Sequence, residues 1–385
     1  MKNPILACLC LFALSIFACA SDAREALWEA VDKAIDNQLP KTALEHLDKI
    51  LPEALEEKAY AEATMAMAMK IRMEASIDAS QMGVTESAIK RLNAEIQNAP
   101  AEMLPVLHTI HALWLWEYYE ENEWKFVNRT QTDAPPGDDF STWDPATILS
   151  EIDSSFSSAL GHCDTLKATP ISDWMEMIDP GTVPTRYRPT LYDFLAHEAL
   201  SIYQAGERAP YSHPNPFTIQ PEDPIFAPAN EFMAWKPETT DPQSPTLKAI
   251  RLFQDLLRFH ASDTDPSAFF DADLARIEFG YHYGVTPEAK INYIEALSLL
   301  AEQSSNHDIS SLALARIATG IIYEDVERAY SIAKAGFSSF PQSDGGKLCQ
   351  DLISGIELPI LNISHRMGWN TKHQPIQISS RNVSH

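Results

Sequence analysis

Two histidines near the start of an aromatic-rich stretch are the first residues to consider for chemistry. His108 and His111 stand three residues apart, a spacing at which one face of a helix can present two metal ligands. A third ligand of suitable type is missing from the neighbouring sequence. We therefore interpret both histidines as packing residues and predict that the chain has no metal site.

Paired acidic residues are the second candidate, because glycoside hydrolysis needs two carboxyl groups on either side of the scissile bond. Asp138 with Asp139, and Asp271 with Asp273, are such pairs. A chain with 54 acidic residues produces close pairs by chance. A hydrolase that uses acids such as Asp139 or Asp271 is therefore the least favoured of three functional hypotheses.

Nucleophilic and phosphate-binding signatures are absent from the sequence. It contains no GxSxG, GxGxxG, GxxxxGK[ST] or HExxH motif and no CxxC pair, and His197-Glu198 lacks the second histidine of a zinc-protease helix. The sequence predicts a protein that is not an enzyme and needs no cofactor.

Aromatic residues are densest between positions 103 and 127, where Trp114 and Trp116 lie. Aromatic side chains at helical spacing usually fill a core, and this is the interpretation we favour. The alternative is a platform that stacks on sugars, in which Trp114, Trp116 and Trp235 would line one exposed groove. That alternative corresponds to a carbohydrate-binding envelope lipoprotein built from helical repeats.

The N-terminus predicts export. Lys2 precedes an apolar run from Pro4 to Phe17, which is too short to span a bilayer but typical of a secretory signal in residues 1–20. The run ending at Cys19 resembles a bacterial lipobox, which predicts lipidation of Cys19, although Phe17 is bulky for such a motif. Cleavage after Ala20 is the alternative. The expected location is the periplasm, or the envelope through a lipid anchor.

Five cysteines leave little scope for disulfides. Cys8, Cys10 and Cys19 belong to the predicted signal, so the remaining pair, Cys163 and Cys349, allows one bridge at most. The sequence leaves open whether these two form a disulfide or stay unpaired.

The composition limits the possible fold classes and the kinds of partner. Only 13 of 385 residues are glycine, which disfavours an all-β protein, and the net charge of −25 would repel nucleic acid. Apolar residues recur with helical period in three segments, 24–128, 141–245 and 246–357, and the second segment ends in a Pro-rich stretch from Pro210 to Pro245. We predict a mainly α fold of helical hairpins, partly tetratricopeptide-like, with that stretch as an ordered loop. Residues 358–385 form an extended tail with the start of β structure.

Small residues at regular spacing indicate where paired helices approach closely. In the C-terminal segment they follow tetratricopeptide phasing better than in the first hairpin. The positions are Ala313, Ile317, Gly320, Ala329, Ala333 and Gly336.

Several runs resemble the helical N-terminal region of large bacterial alpha-2-macroglobulin-family proteins, from about Arg24 to the end of the chain. The most distinctive is RPTLYDFLAHEAL at Arg188–Leu200, and the others are WKFVNRT, STWDPATILSEI, RAYSIAKAGFSSFPQSDGGKLCQDLISGIE and SSRNV. In that family, the region precedes β-sandwich domains, a bait segment that proteases cut and often a Cys-Gly-Glu-Gln thioester. This chain has no such thioester and no recognisable bait region, so no inhibitory residue can be carried over.

The resemblance implies a non-catalytic exported scaffold, either a truncated or split form or a freestanding paralogue, whose partner is a macroglobulin-domain polypeptide or a protease. Endopeptidase inhibition would belong to the parts that this chain lacks. A membrane would be contacted only through the lipid anchor.

Overall fold

The computed structural model describes residues 22–78, 83–126, 140–178, 181, 183–206, 216–283, 288–365 and 376–382. Fifteen α-helices dominate these residues, which confirms the mainly α prediction. The predicted signal with Cys19, and Asp138 and Asp139, lie outside the described residues.

The α-helices of the described residues are numbered in chain order. They are α1 (Asp22–Asp36), α2 (Pro40–Glu56), α3 (Tyr60–Asp78), α4 (Val84–Ile96), α5 (Leu104–Phe126), α6 (Pro145–Leu160), α7 (Cys163–Ala168), α8 (Leu191–Gly206), α9 (Ala229–Ala234), α10 (Pro245–His260), α11 (Ser267–Tyr283), α12 (Ala289–Gln303), α13 (Ile309–Ile321), α14 (Val326–Ser339) and α15 (Asp344–Glu357). Two strands end the described chain: β1 (Ile360–His365) and β2 (Ile376–Arg381).

The chain divides into two compact units. The first unit contains Met1–Phe217 and Pro237–Leu256, and the second contains Thr218–Lys236 and Leu257–His385. The Pro-rich stretch is thus shared between them, and the last turn of α10 belongs to the second unit.

In the first unit, α1 to α5 form a series of antiparallel neighbours. Pro40 occupies the first turn of α2, where a missing amide donor costs nothing. The core between α1, α2 and α3 contains Trp28, Val31, Leu47 and Ile50, all fully or almost fully buried. Helix α5 has no exposed stripe over most of its length, because α4, α6 and α8 pack around it. Asp144 caps α6 by accepting a hydrogen bond from the Thr147 amide.

The described part of the Pro-rich segment is ordered, as predicted, and its residues 218–236 belong to the second unit. Ile225 and Phe232 are buried. The guanidinium of Arg276, on α11, donates to the carbonyl oxygens of Ile225 and Ala227 at 2.6 and 2.8 Å. Because loop carbonyls in a core need donors, this arginine holds the loop in place.

Helices α13, α14 and α15 pack against one another through small residues. Ala313, Ala329 and Ala333 are fully buried, as the spacing predicts. Gly320 is an exception: a Cβ added there would meet no other atom within 4 Å, so this glycine serves no close contact.

Strands β1 and β2 form an antiparallel hairpin, in which Leu361 pairs with Ser380 and Ile360 with Arg381. The predicted start of β structure at the C-terminus is thereby confirmed. Asn382 follows β2 with a left-handed φ of 56° and donates from Nδ2 to the Ile356 carbonyl at 2.5 Å, which ties the hairpin to the end of α15.

Candidate functional site: an exposed apolar surface at the C-terminal helices and hairpin

Exposed large apolar side chains are concentrated in the second unit. Nine of the thirteen in the described residues lie there, and the first unit holds the other four. Seven of the nine fall after residue 322: Tyr323, Val326, Leu348, Leu358, Ile360, Leu361 and Ile378. Where exposed apolar side chains form a contiguous patch, they typically mark an interaction site.

The hairpin carries part of this surface on one face. Leu361 pairs with Ser380, and Ile378 lies two residues before Ser380, so Leu361 and Ile378 share a face. Their exposed fractions are 57% and 63%, respectively. The described part of the chain contains no third strand that pairs with either edge.

Helices α13, α14 and α15 are held at close range by glycines. A Cβ added at Gly345 would lie 2.2 Å from the backbone nitrogen of Leu312, and one at Gly336 would lie 2.6 Å from Cys349 Sγ. Both distances are impossible for real side chains, so glycine is required where α13 meets α14 and α15. The packing of these three helices is therefore closely specified.

Cys349 is part of this packing. Its thiol is fully buried and donates to the Ser311 carbonyl at 3.6 Å. Burial raises the pKa of the Cys349 thiol to about 11, against a smaller lowering by the Phe337 backbone. Cys349 and Cys163 are both free thiols in the structure, so the disulfide that the sequence left open is not formed.

Of the two histidines considered for metal binding, His111 lies in the interior of the first unit and His108 is half-buried. His111 is buried, and its Nδ1 lies 2.8 Å from Ser155 Oγ. The Ser155 hydroxyl donates a hydrogen bond to the Glu151 carbonyl. Because the serine proton is used there, His111 Nδ1 is the donor to Ser155. Burial, with a smaller effect of His108, lowers the pKa of His111 to about 4. Among the described residues, no group of three His, Cys, Asp or Glu side chains could hold a metal ion.

Two tryptophans of the sugar-stacking alternative are buried, whereas Trp124, at the end of α5, is 71% exposed. Trp114 is fully buried and Trp116 nearly so. The Arg72 guanidinium lies 4.6 Å from the Trp114 ring centroid. Trp235 belongs to the second unit, is half-buried and packs beside Phe232. The alternative of an exposed groove lined by Trp114 and Trp116 is therefore wrong, because these two rings fill the core.

Asp271 and Asp273 do not form a pair of opposed carboxyls. They stand two residues apart on α11, and helix residues at that spacing do not face each other. Asp273 is buried in an ion pair with Arg276 at 2.5 Å. The glycosidase arrangement that this pair would need is not formed.

Glu198 on α8 is a buried acid that follows His197, in the pair that lacks the second histidine of a zinc-protease helix. Its side chain is 3% exposed, and Oε2 accepts no hydrogen bond from any described residue. Burial raises the pKa of Glu198 to about 7, and the charge of Arg188 opposes this rise. A carboxyl with such a pKa suits proton transfer, but a substrate would need access that this burial denies.

A serine, a histidine and an aspartate meet at the start of α11 and α13. Ser267 Oγ lies 2.9 Å from His307 Nε2, and His307 Nδ1 lies 3.3 Å from an oxygen of Asp308. However, Nδ1 accepts the Ile309 amide at 3.2 Å, and the Ser267 hydroxyl donates to Asp265 at 2.6 Å. All these bonds are satisfied when His307 carries its proton on Nε2 and donates it to Ser267. The histidine then cannot accept the serine proton, as a nucleophile triad requires.

Another buried charge cluster joins α1 and α3 in the first unit. Glu62 accepts from Arg24 Nε at 3.2 Å and from Trp28 Nε1 at 2.9 Å, and all three side chains are buried. A second carboxylate, that of the exposed Glu57, lies 2.6 Å from Arg24. The three buried groups are mutually satisfied, which is typical of a structural pair.

Comparison with known proteins gives no relative: no family model, no curated protein and no solved structure matches this chain. None of the described helices has the length and apolar character needed to cross a membrane.

Proposed function

We propose that this chain is a non-catalytic, exported helical scaffold that binds a β-rich protein partner through hairpin β1–β2. The observation that carries this proposal is the exposed apolar face of the hairpin, with Leu361 and Ile378 more than half exposed. The resemblance to the helical N-terminal region of macroglobulin-type inhibitors supports a polypeptide of macroglobulin domains as that partner.

The physical argument rests on the stability of small sheets. A two-stranded sheet is marginal in water unless it packs against another element or gains strands. Here it is tied at its base by Asn382, and its apolar face remains open. A β-sandwich partner would cover that face and extend the sheet at an edge, where backbone donors and acceptors are available for pairing.

Protease inhibition, on this proposal, belongs to the complex. The chain alone should leave the cleavage of a protein substrate by an endopeptidase unchanged, and the complex should reduce it. Inhibition by the purified chain without a partner would contradict the scaffold role.

Site-specific crosslinking tests the partner directly. A photo-crosslinking amino acid placed at Ile378 in the native envelope should capture a polypeptide that mass spectrometry identifies as composed of β-sandwich modules. A double substitution, Leu361→Ser with Ile378→Ser, should abolish association with the captured protein. Ile291→Ser is the matched control, because Ile291 is 60% exposed and belongs to α12, not to the hairpin. A helical partner, or equal loss with the control, would overturn the proposal.

Export and lipidation form a separate part of the proposal. Residues 1–20 supply a signal, and Cys19 receives the lipid. Mass spectrometry of the mature N-terminus distinguishes a diacylglyceryl-modified Cys19 from cleavage after Ala20. An unprocessed Met1 in the envelope fraction would contradict export by this signal.

A further inference from the structure

A groove separate from the hairpin lies in the second unit between α13 and α15. It encloses about 580 Å³, and each wall presents side chains at helical spacing over two turns, Ala315, Thr319 and Ile322 on one side and Leu348, Leu352 and Gly355 on the other. At 1.5 Å per residue, each wall is about 10 Å long. This size suits side chains from one face of a short helix.

The rim of the groove is apolar and open to solvent. Tyr323 is 99% exposed, and Val326 and Leu348 are also exposed. The Tyr323 ring therefore stands at the mouth of the groove without packing against its own chain. Covering it would remove a large apolar surface from water.

The uncompensated charge in the groove is negative. Arg316 lines one wall, but its Nε lies 2.5 Å from a carboxylate oxygen of Glu278. Asp351 on the other wall is exposed and pairs with no cation among the described residues. The nearby Lys347 lies 3.3 Å from Asp344. An occupant that fits this groove carries a basic side chain among apolar ones.

Gly355 lies on the α15 wall of the groove, within the helix, where glycine costs about 0.5–1 kcal/mol relative to alanine. A Cβ added there would meet none of the described atoms outside its own helix within 4 Å, as is also true of Gly320 on α13, which lies outside the groove. Gly336 and Gly345 differ, because a Cβ at either would collide with a neighbour. Glycine at position 355 therefore widens the groove at this wall, and an alanine there would reduce the space open to a ligand.

We propose that this groove binds an amphipathic helix of a partner protein, with leucine-like side chains against Tyr323 and Leu348 and a lysine or arginine beside Asp351. This site is independent of the hairpin, so each of the two proposals can fail without the other. The apolar rim supplies affinity, and Asp351 selects partners with a basic residue on the apolar face.

Fluorescence anisotropy with two designed peptides tests the groove. The first is a fluorescein-labelled helical peptide of Ala, Gln and Leu with one Lys on its leucine face, and the second has Glu in place of that Lys. At physiological ionic strength, the Lys peptide should bind the full chain at least about tenfold more tightly than the Glu peptide. Equal affinities, or no binding of either peptide, would overturn the proposal.

Matched substitutions locate the binding. Gly355→Ala should weaken peptide binding about tenfold, because the added methyl group narrows the groove at its α15 wall. Gly320→Ala, the same change on α13 outside the groove, should leave binding unchanged. Asp351→Asn should remove the preference for Lys, whereas Glu302→Gln, the same loss of charge at an exposed site on α12, should retain it. Circular dichroism confirms that each variant is folded. Equal effects of groove and control variants would show that the peptide binds only through the overall negative charge.

The hairpin variant separates the two proposals. Leu361→Ser with Ile378→Ser should bind the Lys peptide as the unchanged chain does. Loss of peptide binding in this variant would contradict an independent groove.

Discussion

The two units differ most in where their large apolar side chains lie. The first unit buries Glu62, His111 and Glu198, and it also buries Trp114. The second unit buries charge as well, in the ion pair of Asp273, but it holds nine of the thirteen exposed large apolar side chains of the described residues. Residues that attract attention as catalytic candidates therefore lie in an interior, and the surface that can bind a partner consists mostly of ordinary apolar residues. The contrast teaches that burial decides between structural and functional roles before residue type does.

The largest test of this contrast removes a buried charge from the first unit. Glu62→Ala leaves the buried Arg24 and Trp28 without their shared acceptor, and breaking such a pair should lower the free energy of unfolding by about 4 kcal/mol. Urea denaturation measures the loss. Glu57→Ala is the control, because Glu57 contacts the same arginine but its side chain is 57% exposed, and it should cost less than about 1 kcal/mol. Equal losses would refute the distinction between buried and exposed partners.

The second test attacks the helix contacts of the second unit. Gly345→Ala would place a Cβ 2.2 Å from the Leu312 nitrogen and so force α15 away from α13. We expect a loss of about 3 kcal/mol in the free energy of unfolding. Hydrogen exchange followed by mass spectrometry should show faster exchange in α13 to α15 and unchanged exchange in α1 to α3. Uniform acceleration in both units would contradict the local origin of the effect.

The third test uses pH, because two buried groups of the first unit titrate in opposite directions. The pKa of His111 falls from 6.5 to about 4, so its contribution to stability is fully present above about pH 6.5 and is lost as the pH falls towards 4. The pKa of Glu198 rises from 4.5 to about 7, so its contribution is fully present below about pH 4.5 and is lost as the pH rises towards 7. Between these limits the two effects oppose each other.

Removing one group should reveal the other. In Glu198→Gln, the His111 effect should lower the free energy of unfolding by up to about 3 kcal/mol as the pH is lowered from 6.5 to 4, because the opposing effect of Glu198 is removed. In His111→Gln, it should fall as the pH rises from 4.5 to 7. Urea denaturation at a series of pH values measures both slopes. A Glu198→Gln profile identical to that of the unchanged chain would rule out the burial effect at this carboxyl.

The smallest effect concerns two glycines at which an added Cβ would meet no described atom outside its own helix. Gly320→Ala and Gly355→Ala should each raise the free energy of unfolding by about 0.5–1 kcal/mol, since alanine restricts the unfolded chain and its Cβ fits at both sites. Thermal denaturation detects the gain. Destabilisation by Gly355→Ala would show that α15 needs glycine for its own packing, and weaker peptide binding by that variant would then not be evidence for the groove.

Local patterns predicted the helices well, because an apolar period of 3.6 residues is written in neighbouring positions. Helix α8 (Leu191–Gly206), for example, has Leu191, Leu195 and Ala199 at helical spacing, and all three are buried. The cap at Asp144 and the ordered Pro-rich segment were also predictable from residue type. The short α7 and α9 were missed, since six residues hold too little of a period.

Contacts between distant positions could not be predicted from the sequence. Glu62 meets Arg24 across 38 positions, and His111 meets Ser155 across 44. The apolar spacing of the first hairpin runs through Leu27, but Trp28 is the more buried residue, and its indole donates to Glu62. The groove was equally hidden, because it depends on two helices whose facing residues are about thirty positions apart.

The two free thiols differ sharply in their environment, and this has a practical consequence for spectroscopy. Cys349 is sealed inside its helix packing, and its pKa of about 11 leaves almost none of it as the reactive thiolate near neutral pH. Cys163 is partly accessible to solvent. Of these two thiols, a maleimide dye should therefore label Cys163, providing a reporter at a known position without any engineered substitution.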